Sequence, residues 1–68
     1  MAVPAPSAAS AGFSEADMLA RRVQRDVVDA RAERVSNGDT REALRLVKSA
    51  RRRLAQLDEC LSGLIHVL

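Results

Sequence analysis

Cys60 and His66 are the only thiol and the only imidazole in this chain, and Asp58 and Glu59 stand just before them. A thiol beside an imidazole can act as a nucleophile with its base, and two converging carboxylates can act as a general acid and base. The spacing denies both arrangements. Six helical positions turn Cys60 and His66 about 240° apart, and adjacent carboxylates diverge by about 100°. One cysteine and one histidine cannot assemble a zinc site or an internal disulfide within one chain. Gly12, Gly38 and Gly63 are isolated, so no glycine-rich phosphate loop is present. The sequence therefore predicts a protein that is not an enzyme, with no catalytic residue, no metal ligand and no cofactor.

The remaining chemically suggestive feature is cationic. Arg51, Arg52 and Arg53 are consecutive, and Arg21, Arg22 and Arg25 lie earlier. Consecutive helical residues fan around the axis instead of forming a patch, so a solvated face is the expected arrangement. Eleven Lys and Arg against nine Asp and Glu leave a net charge of only +2, and Phe13 is the single aromatic. That balance offers neither a strong field for nucleic acid or anionic membrane nor a stacking platform for single strands.

The elements that carry these residues follow from the periodicity. Residues 1–12, MAVPAPSAASAG, are uncharged and rich in Ala, Pro and Ser, and read as a disordered tail. In FSEADM, Ser14 is a candidate N-cap with Asp17 three residues on, and Phe13 can staple onto Met18. A helix over about 14–36 follows, with Ala16, Leu19, Ala20, Val23, Val27 and Ala30 as its apolar stripe. Val28, Ala32 and Val35 lie off that stripe, as do Leu46, Leu64 and Val67 on the next helix.

A turn over 37–39 interrupts the chain, where Asn37 or Gly38 can adopt the left-handed backbone and Asp39 can cap what comes next, with Glu42 as its reciprocal partner. The second helix, about 39–67, places Ala43, Val47, Ala50, Leu54, Leu57, Leu61, Leu64 and Leu68 at alternating steps of four and three. Such a seam calls for a facing helix, and the short connection makes the first helix its neighbour. The predicted fold is an all-α antiparallel two-helix hairpin that depends on a partner. Asp17 and Arg21 are spaced for an intrahelical pair. Asp26, Asp29 and Glu33 are expected to face Arg45, Lys48 and Arg52 across the hairpin.

At 1.5 Å per residue the helices measure roughly 34 and 42 Å, so the second should outrun the first. Its closing stretch, ECLSGLIHVL, would then project apolar side chains beyond the hairpin, too few to cross a bilayer. About 55 residues make a marginal core without staples, and a partner chain is the expected remedy. The N-terminus lacks the pattern of a secretory signal and the thiol is lone, which point to a cytoplasmic protein.

The whole 14–68 plan resembles the YscE/PscE/AscE-type co-chaperones of bacterial type III secretion systems. The resemblance lies in a charged first helix, a turn reading NGD, and REALRLVKSARRRLAQLDECLSGLIHVL with its Ala/Leu seam and an IH dipeptide near the end. It implies a cytosolic helical hairpin that binds a tetratricopeptide-like chaperone and, with it, holds the needle subunit soluble and unpolymerised before export. It also implies that Leu54, Leu57, Leu61, Leu64, Ile65 and Leu68 belong to the seam or the partner contact. The Ala/Pro/Ser tail and the single aromatic depart from the family pattern. Two other readings are open on the residues alone: a homodimeric four-helix bundle, and a basic helical accessory that binds nucleic acid.

Overall fold

The computed structural model describes residues 8–68, which form two α-helices packed side by side and no strand. The first, α1, spans Ala8–Val35, and the second, α2, spans Thr40–Val67. The expected hairpin is therefore the fold. Its shortest extent is 12 Å, the thickness of one helix. In such a slab each helix has one protein neighbour and can bury only one stripe.

The turn forms for local reasons. Gly38 takes φ +65°, a left-handed backbone that costs glycine nothing, and the Asp39 N–H donates 2.9 Å to the Glu33 carbonyl left open at the end of α1. Asp39 then caps α2, its carboxylate accepting from the Glu42 N–H at 2.9 Å. The reciprocal half of the box does not form. Glu42 turns its carboxylate to the Arg45 guanidinium one turn on, which holds the carboxyl below its ordinary pKa through side-chain hydrogen bonds.

The start of α1 differs from the sequence expectation. It begins at Ala8 rather than near Ser14, so Ser14 lies inside the helix and caps nothing; residues 1–7 lie outside the described residues. Alanine is the strongest helix former and the last proline is Pro6, so little opposes extension backwards. A tertiary contact favours it as well. Gly12 meets Leu64 so closely that a methyl group built on it would stand 2.6 Å from the leucine Cδ2. The Cys60 thiol donates to the Gly12 carbonyl at 3.3 Å. Both helices consequently have 28 residues, and α2 does not outrun α1.

The core is a thin line. Ala16, Leu19 and Ala30 of α1 are buried against Ala43, Ala50 and Leu64 of α2, with Val23, Leu46 and Leu57 half-buried beside them. The buried alanines let the two backbones approach. Within this line sits Asp26, buried, accepting a 2.7 Å hydrogen bond from Arg53. This is the ion pair that crosses the hairpin. Arg45, expected there, is engaged with Glu42, and among the described residues neither Lys48 nor Arg52 reaches an acid. The Asp17–Arg21 pair forms within α1 at 3.1 Å.

Candidate docking face

The predicted seam of α2 is split by the fold into two columns seven residues apart. Ala43, Ala50, Leu57 and Leu64 turn towards α1, whereas Val47, Leu54, Leu61 and Leu68 are exposed. The cause is the rotation of α2 about its own axis. A buried carboxylate requires a partner, and Arg53 is the cation that reaches Asp26. Turning Arg53 and Cys60 inward turns Leu54 and Leu61 outward, because those side chains lie about 100° further round the helix.

Of the six residues expected at the seam or partner contact, two serve the hairpin itself. Leu64 is the most buried of the core residues at 4% exposure, and Leu57 is half-buried. The other four are displayed: Leu54 and Leu61 along one column, Leu68 at its end, and Ile65 beside it, the last two at 79% and 76% exposure. The greasy end of the chain is thus divided between an internal contact and an exposed one.

The displayed column has a counterpart on α1. Val27 and Val47 line one groove between the helices, floored by Ala30 and Ala43 and walled by Leu44, about 370 Å³ in volume. Heptad spacing carries the same face along both helices, from Val27 through Ala20 to Phe13 and from Val47 through Leu54 to Leu61, with about 20° of drift per heptad. Phe13, Val27, Leu44, Val47, Leu54 and Leu61 are all exposed. Leu44 joined this face without a sequence signal as clear as the seam, and Val27 and Ala20, expected in the inner stripe of α1, are exposed on it instead. The signal present is a second series at steps of three and four, 44, 47, 51, 54, 58, 61, 65 and 68, which Arg51 and Asp58 interrupt.

The opposite face is polar. Arg22, Ser49, Arg52, Arg53 and Gln56 line a depression near its middle, whereas towards the open end Glu15, Glu59 and Cys60 share another with Ala11, Leu64 and the exposed Val67. Arg51, Arg52 and Arg53 have separate destinations, as consecutive helical positions require. Arg53 goes inward to Asp26, while Arg51 and Arg52 join Arg45 and Lys48 around Ala55 on the outer flank of α2, with Arg51 at its border with the apolar face. Among the described residues no group of three or more His, Cys, Asp or Glu side chains is placed to hold a metal ion. No described helix is long and apolar enough to cross a membrane. His66 is exposed in the last turn of α2, on a different side from Cys60.

No protein-family profile, curated protein or solved structure matches the chain. The geometry carries one clear chemical capacity: one side of the slab offers aliphatic side chains at coiled-coil spacing, with Arg31 and Arg34 lining its groove near the turn.

Proposed function

We propose that the protein is a small cytoplasmic co-chaperone subunit of a type III secretion system. It docks on a tetratricopeptide-like chaperone and helps to keep the needle subunit soluble and unpolymerised before export. The activity is stoichiometric binding without catalysis. The observation that carries this reading is the exposed column Leu54, Leu61 and Leu68 with Ile65 beside it, an apolar surface that the hairpin cannot cover. Exposed aliphatic surface of this extent on a small chain marks an interface. The hairpin layout that resembles the needle co-chaperones supplies the kind of partner.

The chaperone contact is assigned to Leu54, Leu61, Ile65 and Leu68, and Leu57 and Leu64 support it from the hairpin seam. Each leucine fully buried by docking contributes about 1.5–3 kcal/mol. Co-expression with the chaperone and needle subunits of one secretion system, followed by size-exclusion chromatography, tests the reading. The expected result is a co-eluting complex that Leu54→Asp with Leu61→Asp abolishes while helicity is retained. Failure of the unaltered hairpin to co-elute with either subunit would remove the proposal.

A further inference from the structure

The margins of the apolar face are charged in a pattern that is its own complement. On α2 the column flanking Val47, Leu54 and Leu61 reads Leu44, Arg51, Asp58, Ile65, and on α1 the column flanking Phe13, Ala20 and Val27 reads Asp17, Gln24, Arg31. Both are cationic towards the turn and acidic towards the open end. The whole hairpin shares this polarity. Residues 24–53, around the turn, carry nine Lys and Arg and five Asp and Glu, whereas 8–23 and 54–68 together carry two and four.

We propose that two copies of the hairpin pack these faces together in antiparallel, turn over open end, forming a four-helix bundle about a two-fold axis at the level of Leu54 and Gln24. In that register Leu44 lies against Ile65 of the second copy, Arg51 against its Asp58, and Asp17 against its Arg31. Each match occurs twice by symmetry. Arg51 and Arg31 make no ion pair among the described residues, and Asp17 holds only a solvent-exposed contact to Arg21. Val47 meets Leu61 of the second copy, so the apolar columns close on themselves.

The other face-to-face arrangement, with both turns at one end, stacks α2 on α1 of the second copy. It sets Leu44 beside Arg31 and Arg34, and Asp58 beside Asp17. Charge and polarity reject it. The face measures roughly 36 Å by 20 Å, about 700 Å² per copy, close to the roughly 800 Å² that stable complexes bury per partner.

This inference does not rest on the chaperone reading, and its test uses the pure protein alone. Sedimentation should show a dimer at micromolar concentrations. Arg51→Asp should weaken it by roughly 2- to 30-fold, two exposed pairs being lost, and adding Asp58→Arg should restore it. In a Cys60→Ser background, Val47→Cys mixed with Leu61→Cys should oxidise to a crosslinked heterodimer, since disulfides need Cα atoms within about 7 Å. Circular dichroism confirms that each variant keeps its helices. A folded monomer at every concentration would overturn the proposal. So would crosslinking of Val47→Cys to Val27→Cys in place of Leu61→Cys, or a dimer indifferent to the charge reversal.

Discussion

Leu61→Ala and Leu64→Ala delete the same atoms from neighbouring members of one heptad stripe, yet the fold gives them different costs. Leu64 is 4% exposed and lies against Gly12, whose missing side chain makes room for it. Truncation there leaves a hole that two helix backbones cannot close, and leucine-to-alanine changes of that kind cost about 2–5 kcal/mol. Leu61 is 45% exposed and faces away from α1. Its truncation forfeits only part of the transfer free energy and opens no cavity, so the loss should be ~1 kcal/mol. A chain of this length folds with roughly 3–10 kcal/mol in total, so the difference is easily read. Urea denaturation followed by far-ultraviolet circular dichroism, at two protein concentrations, separates hairpin stability from self-association. Equal losses for the two variants, or the larger loss at Leu61, would refute the assignment of inner and outer columns.

Three further outcomes follow from single contacts. Arg53→Ala strands the buried Asp26 carboxylate and should cost about 1–3 kcal/mol, whereas replacing both by leucine should be neutral or stabilising; a double variant as unstable as the single one would contradict the pairing. Gly38→Ala forces an L side chain into φ +65° and should cost about 1–2 kcal/mol by denaturation, with no loss expected if the turn were right-handed. Carboxyl resonances followed by NMR should place the Glu42 pKa below the ordinary glutamate value, and Arg45→Ala should return it towards that value. Because the folded-state value is the depressed one, this pair's contribution is present above the ordinary glutamate pKa. It is lost as pH falls through the depressed value. An undisplaced Glu42 would show that the Arg45 contact does not persist in solution.

The parts legible in the sequence were those written locally. Gly38 at the reversal, Asp39 at the cap, the Asp17–Arg21 pair and the periodicity of α2 all depend on residues within one or two turns, and each appears where expected. The rotation of α2 was not legible, because periodicity says which residues share a stripe and leaves open which edge of the stripe meets the partner. That edge is chosen by Asp26 and Arg53, 27 residues apart in sequence, together with the close approach at Gly12. The first helical turns of α1 were missed for a related reason. A competent local cap at Ser14 was overridden by alanine propensity and by a contact with Leu64 at the far end of the chain.

The split seam also bears on the proposed binding role, because it leaves an apolar column uncovered. A heptad stripe with both columns apolar suits a helix that meets its neighbour squarely, whereas here α2 meets α1 with one column and leaves Val47, Leu54, Leu61 and Leu68 exposed. Had Asp26 been aliphatic, α2 could roll to bury Leu54 and Leu61 against α1 and leave Arg53 outside, giving a tighter hairpin with less to offer. A carboxylate in the core line fixes the opposite rotation and holds the leucines outward. On this argument Asp26→Leu with Arg53 retained, which leaves the guanidinium to turn outward, should raise hairpin stability while weakening every interaction made through the Leu54 column. Denaturation read beside sedimentation decides it. Gains in stability that leave association untouched would mean that the ion pair does not set the rotation.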